Sequence, residues 1–185
     1  MLTFSSYMLC FILYRSFGAT NLACQPVEKT MEIRLEELMN LETMPRRRPN
    51  RRHFLGGSDA RIIMSPDEGA LIRLWQEKRG EAEPEDLSDN LVAQLGVVTE
   101  ALNRTWYERN TDRAISDVQR WVQHPVHRFL AATLDGFVND LDAVFEAKFM
   151  LPWSFSEEAA AEKHMAQLQH NMWVTNARLA ALSIY

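Results

Sequence analysis

Four side chains in the second half of the chain could do chemistry together. In AVFEAKFM, Glu146 and Lys148 stand two positions apart. On a strand they share one face, while Phe145, Ala147 and Phe149 take the other. Asp135 precedes Gly136, where the backbone can turn closely, and a hairpin between the two segments would bring Asp135 beside Glu146. Glu100 lies four residues after Gly96, on the same face of a helix. The plain alternative is a solvated Glu–Lys pair, common on exposed strands and worth little. Three carboxylates converging at about 4 Å would repel by roughly 4 kcal/mol per pair at an effective dielectric near 20. Such convergence makes sense around a divalent cation, and hard oxygen ligands select Mg²⁺ or Mn²⁺.

Helices and short strands must position these groups. Gly56–Met64 (GGSDARIIM) predicts a turn and a short helix capped by Ser58. Ser65–Gly80 predicts a clearer helix, with Ser65 as cap, Pro66 in the first turn, Asp67 and Glu68 suiting the dipole and Gly80 as the stop. After an acidic loop, Glu81–Asp86, Ser88 can cap a long helix through Asn110. Leu91, Val92, Leu95, Val98, Leu102 and Trp106 would be its buried stripe. Ala114–Val118, Arg128–Leu134 and Ala143–Met150 read as strands, separated by the turn-like His124–Pro125 and by GFVNDLD. Ser156–Asn176 is a helix again, and Leu179–Tyr185 a further strand. The order implies α/β layering.

The chain has 185 residues, 46% of them apolar, enough for one domain with a real core. Net charge is −5, but nine basic side chains face four acidic ones between Pro45 and Arg79, leaving that segment at +5 and the rest at −10. With screening over roughly 8 Å at physiological salt, a local patch matters more to a phosphate than the total does. Both cysteines, Cys10 and Cys24, fall in the first 24 residues. A disulfide framework, a cysteine zinc site and an iron–sulfur cluster are therefore disfavoured, and the body reads as cytoplasmic. Residues 1–44 read as an extension. Tyr7–Tyr14 is as long as a signal-peptide core but has no basic residue before it, and it is too short to span a membrane. A non-native upstream stretch, with the domain starting at Met31 or Met44, fits better. Met31–Leu41 has amphipathic helical spacing, and Pro45–Arg52 should be extended.

Gly96-x-x-x-Glu100, Leu134-Asp135-Gly136 and Glu146-Ala147-Lys148 together resemble the PD-(D/E)xK nuclease core. GGSD at Gly56–Asp59, LW-x-x-K at Leu74–Lys78 and MAQLQHNMWVT at Met165–Thr175 narrow the likeness to the YqaJ-like viral recombinase family, the lambda-exonuclease type, over about Arg51–Tyr185. The Glu-x-Lys element alone is weak; the ordered set of five elements, with the helix that carries Gln167, is strong. The resemblance implies a restriction-endonuclease-like fold, a central mixed sheet flanked by helices, in a domain spanning 45–185. The usual Pro before the Asp is Leu134 here, and the chain ends where such domains continue through further strands and a closing helix, so a truncated C-terminus is expected.

By the same resemblance, Asp135, Glu146 and the Ala147 carbonyl would hold Mg²⁺ (or Mn²⁺), with Glu100 completing the shell directly or through water. Lys148 would orient the attacking water, and Gln167 would contact Lys148 or the scissile phosphate. Arg52 and Ser58 would grip the DNA backbone or a terminal 5′-phosphate, as a helix N-terminus suits anions. The implied activity is 5′→3′ exonuclease action on duplex DNA, feeding a single-strand annealing partner in phage-type recombination. The implied assembly is a toroidal trimer. The rivals are a repair endonuclease or RecB-like nuclease domain, a catalytically dead DNA-binding module, and a secreted protein if the first residues are a signal. His124 and His127 flank Pro125 without a third ligand at zinc spacing. His164 and His170 read as packing or DNA-side residues, and the five tryptophans read mostly as core.

Overall fold

The computed structural model describes residues 8–15, 18–26, 50–151 and 156–185. Its central strand is β7 (Ala143–Lys148), whose residues are buried on both faces except at Lys148. A near-continuous apolar run covered on both sides is what a central strand requires. β7 pairs antiparallel with β6 (Gly136–Val138) and parallel with β8 (Leu179–Ile184). β6 pairs in turn with β3 (Ile115–Ser116). Beyond β8 lie β1 (Met8–Arg15) and β2 (Gly18–Pro26), an antiparallel hairpin, so the mixed sheet runs β2-β1-β8-β7-β6-β3. A separate two-stranded ribbon joins β4 (Trp121–Gln123) to β5 (Ala131–Thr133).

Helices cover both faces of the sheet. The crossover from β7 to β8 is α4 (Glu157–Thr175), capped by Ser156, whose hydroxyl accepts from Ala159 N–H, and ended by Asn176 in a left-handed conformation. Its Leu168 and Met172 pack with Val144, Ala180 and Leu182. On the opposite face α3 (Leu91–Thr111) lays Tyr107 against Phe145, ring centroids 5.0 Å apart, with Ala147 and Ala181 in the same cluster. Asn103, also on α3, fixes the helix to β8 through Ser183, donating to its carbonyl at 3.0 Å and accepting from its hydroxyl. α1 (Gly57–Ile63) packs on α4, and α2 (Glu68–Arg79) lies beside α1.

Several local expectations are corrected. Ser58 lies inside α1; Gly56 is the cap position, and the Asp59 carboxylate accepts its N–H. α2 starts later than Ser65, at a cap formed by Asp67, because its side chain reaches Ala70 N–H while Ser65 donates back to Ile62 O. Asn90, not Ser88, caps α3 for the same reason. The α3 stripe is misplaced: Leu91 is 69% and Val98 72% exposed, and the buried residues of this helix are Asn103 and Tyr107. Periodicity finds an apolar face but not the point where the sheet begins to cover it. GFVNDLD is a strand followed by a 3₁₀ turn (Asn139–Leu141), since Phe137 and Val138 pair with Val144 and Ala143. Arg51–His53 is likewise a 3₁₀ turn rather than extended chain. Trp75, Trp121 and Trp173 are exposed, so Met172 rather than Trp173 packs α4 on the sheet. Met31–Leu41 and Trp153 lie outside the described residues. Among the described residues no helix is long and apolar enough to cross a membrane.

Candidate active site

Glu146 faces α4 from the middle of β7 and is 1% exposed. A surface Glu–Lys pair is therefore excluded. Its Oε1 accepts from Lys148 Nζ and from Gln167 Nε2, each at 2.5 Å, and its Oε2 accepts from Asn171 Nδ2 at 3.0 Å. Gln167 and Asn171 are four apart on α4, so they present one face to the strand. His164, one turn earlier, is also buried, and its Nδ1 has no partner. Burial, helped by the positive charges of Lys148, Lys163 and Arg61, lowers the His164 pKa to about 3 and keeps the ring neutral.

Asp135 sits where the β6–β7 ladder ends. Gly136 pairs with Phe145, so Asp135 stands across from Glu146, and its Oδ2 accepts from Ala147 N–H at 3.0 Å. The expected hairpin juxtaposition is present. Gly136 is required there, because a Cβ would run into Ile115 of β3. Burial raises the Asp135 pKa well above the usual carboxylate range, and the negative charges of Glu146 and Glu100 add to this against the opposing pull of Lys148 and Ala147 N–H. Burial also pulls the Lys148 ammonium down, but Glu146 and Asp135 outweigh it and leave the pKa above the ordinary lysine value.

Glu100 approaches from α3. Arg104 Nη1 and Gln119 Nε2 (2.8 Å) both donate to its Oε1, and Arg104 also reaches the Asp135 carbonyl at 3.5 Å. Among the described residues no three His, Cys, Asp or Glu side chains are close enough to hold a metal on their own. Asp135 and Glu146 do crowd two carboxylates into one place. Both main-chain groups of a strand residue point towards the same neighbour, so the Ala147 carbonyl faces the Asp135 side as well. Two carboxylates and a carbonyl fit Mg²⁺ or Mn²⁺, since Mg²⁺ usually keeps several waters and takes only one or two protein carboxylates. Burial and, after it, the neighbouring negative charges raise Asp135, and a cation would offset both.

Beside this centre lies a cavity of about 180 Å³. Arg51, Gly57, Ser58, Thr133, Gln167 and Asn171 line it, with Phe54 and Trp121 also in its wall. Gln167 and Asn171 thus touch both Glu146 and the cavity. Arg51 Nη2 donates to Ser58 Oγ at 3.0 Å. Arg52 is not in the wall; its guanidinium pairs with Glu83 at 2.8 Å. The structure brings together Asp135, Glu146, Ala147, Lys148 and Gln167, with Glu100 at the edge and Ser58 across the cavity, and sets Arg52 apart.

The GGSD and LW-x-x-K motifs meet in a second buried carboxylate. Asp59, 1% exposed, accepts from Lys78 Nζ (2.6 Å), Arg51 Nη2 (2.9 Å) and Gly56 N–H (2.8 Å). Lys78 also donates to the carbonyls of Arg51 and Phe54, each at 2.7 Å. This hub fixes Arg51 and the start of α1 at the cavity. Sequence reasoning missed Arg51, Arg104, Gln119 and Asn171. Asn171 had a signal, lying four residues after Gln167; Gln119 had none, because only the fold carries it to Glu100.

Curated protein sequences give no match. Two solved structures share the fold. One is an alkaline exonuclease, LHK-Exo, from Laribacter hongkongensis, with TM-score 0.59 and 20% identity over 73% of this chain and 70% of that one. The other is LHK-Exo in complex with dAMP, with TM-score 0.57 and 21% identity over the same shares. A profile of the YqaJ-like viral recombinase domain covers residues 48–178, which include Arg51 and the Gln167 helix. The chain belongs to the YqaJ-like viral recombinase family.

Proposed function

We propose that this protein is a Mg²⁺-dependent (or Mn²⁺-dependent) exonuclease that digests duplex DNA 5′→3′ in the cytoplasm and supplies single strands to an annealing protein during phage-type recombination. One observation carries the reading. Glu146 is buried, tied to Lys148, Gln167 and Asn171, and set opposite an Asp135 whose carboxyl is pushed up by burial and by the negative charges of Glu146 and Glu100. That family membership and the exonuclease fold of the two solved structures point the same way supports it.

Asp135, Glu146 and the Ala147 carbonyl would hold the cation, with Glu100 reaching it through water. When bound, the cation lowers the pKa of a water and shields phosphate oxygens. Lys148 Nζ, released from Glu146, would orient the attacking water and offset charge on the phosphorane-like transition state. A phosphodiester offers no easy covalent route, so positioning and charge carry the rate. The cavity would take the terminal 5′-phosphate, gripped by Arg51 and Ser58 with Gln167 between it and Glu146. A trimer around DNA is proposed from family resemblance alone.

The test is release of nucleotides from 5′-phosphorylated linear duplex against closed circular duplex, with and without Mg²⁺. Release from linear DNA only, and only with the metal, is expected. Digestion of closed circles would replace the exonuclease reading by an endonuclease. No cleavage under any condition would leave a DNA-binding module.

A further inference from the structure

Asn171 has features that a packing residue does not need. It is 1% exposed, its Nδ2 donates to Glu146 Oε2 at 3.0 Å, and its Oδ1 is buried with no hydrogen-bond partner. Reversing the amide would not help, because a carbonyl oxygen would then face the carboxylate. The anion of Glu146 thus dictates which way Asn171 points. The orphaned oxygen lies over Gly57 at the start of α1, where an added Cβ would lie 2.5 Å from Oδ1 and 3.0 Å from Gln167 Cγ. Gly57 has an ordinary φ, so the glycine is demanded by space and not by backbone conformation.

We infer that Asn171 is a positioning residue that aims the Glu146 carboxylate at the cation site, and that Gly57 is glycine because Asn171 fills the room a side chain would take. This rests on the nuclease reading of the same site. Lys148 and Gln167 share Oε1, on the side of the partly exposed Lys148, whereas Asn171 alone holds Oε2. Oε1 is the oxygen that can exchange partners; Oε2 is the one that fixes the orientation. Partners of this kind around ligating groups change metal affinity or activity by about 10–100-fold when removed.

The experiment is Mn²⁺ binding by titration calorimetry on the full chain, together with nucleotide release and thermal melting. Asn171→Leu keeps the branched shape and removes the donor. Gly57→Ala leaves Asn171 in place but pushes it off Glu146. Each is expected to weaken Mn²⁺ binding about 10–100-fold, and nucleotide release is expected to recover as Mn²⁺ is raised, the pattern of a lost positioning contact at the cation site. The double variant Gly57→Ala with Asn171→Ser makes room for the methyl but brings no donor within reach of Glu146 Oε2, because serine ends one bond short of the amide. It is expected to melt above Gly57→Ala and to bind Mn²⁺ no more tightly than Asn171→Leu. Equal Mn²⁺ binding by parent, Asn171→Leu and Gly57→Ala would overturn the inference alone, as would a double variant that melts no higher than Gly57→Ala. A parent that binds no Mn²⁺ and releases no nucleotide would sink the nuclease reading and this inference with it. Melting decides whether a variant that binds no metal is merely unfolded.

Discussion

Asp59 and Glu146 are both carboxylates, each 1% exposed, and they lead opposite lives. Asp59 receives two cationic side chains and a main-chain N–H. Glu146 has one ammonium and two neutral amides, and it faces a second carboxylate, Asp135, whose pKa burial and the Glu146 charge push well above its usual value. The first site is compensated and holds α1, α2 and Arg51 together. The second is crowded with negative charge that one lysine must serve. Burying a charge is costly unless it is paired, and the proposed cation would make good the shortfall around Asp135 and Glu146.

Lys148→Ala should give the largest effect. Loss of a charge-stabilising, proton-handling group typically costs about 10²–10⁴-fold in rate, and DNA binding in a filter or anisotropy assay should persist. Cleavage at the parental rate would remove Lys148 from the mechanism.

Stability should separate the two carboxylates. Asp59→Asn strands Lys78 among its carbonyls, and breaking a buried pair in this way costs about 3–5 kcal/mol, measured by urea unfolding. Glu146→Gln should change stability by less than about 1 kcal/mol, because losing the Lys148 pair is offset by ending the repulsion with Asp135. Equal costs at the two positions would erase the distinction drawn between them.

Arg51→Ala should raise KM for 5′-phosphorylated duplex about tenfold, the value of one charged hydrogen bond to a phosphate. Arg52→Ala should leave KM within about twofold, since its partner is the exposed Glu83 and such surface pairs contribute about 0–1 kcal/mol. The reverse ranking would move the phosphate grip back to Arg52.

The smallest effect is on the pH dependence of melting without metal. The folded-state pKa of Asp135 is raised above its unfolded value, so between those values the folded protein holds more protons. The cost of ionising Asp135 is absent below the unfolded value and fully present above the raised one. The melting temperature of the parent relative to Asp135→Asn should therefore rise as pH falls through that window. Added Mn²⁺ should reduce the difference. A pH-independent difference would mean that Asp135 is neither desolvated nor crowded.

How much of this was legible in the sequence varies by element. The Ser156–Asn176 helix was readable because a hydroxyl cap and a left-handed Asn stop are local signals, and they fall where expected. The short strands were harder. Gly136–Val138 is three residues long and follows a turn-forming Asp-Gly, so only its pairing with Ala143–Phe145 makes it a strand. The caps at Asp67 and Asn90 were displaced from nearby serines, since several residues in each stretch can accept an N–H and the helix start selects one.

The sequence by itself determined the chemical types and their order: an acid on a helix, an acid before a glycine, and an acid and an amine on one strand face, then a glutamine on a helix. Those follow from side-chain periodicity, which is local. Only the tertiary structure decided that the strand is covered on both sides, so that Glu146 is buried instead of solvated. It also decided that Arg51 and not Arg52 lines the cavity and that Asn171 and Gly57 complete the support of Glu146. These depend on contacts between residues up to about a hundred positions apart, and burial, which turns a weak surface pair into a strongly coupled one, is a property of the packed layers and not of any single segment.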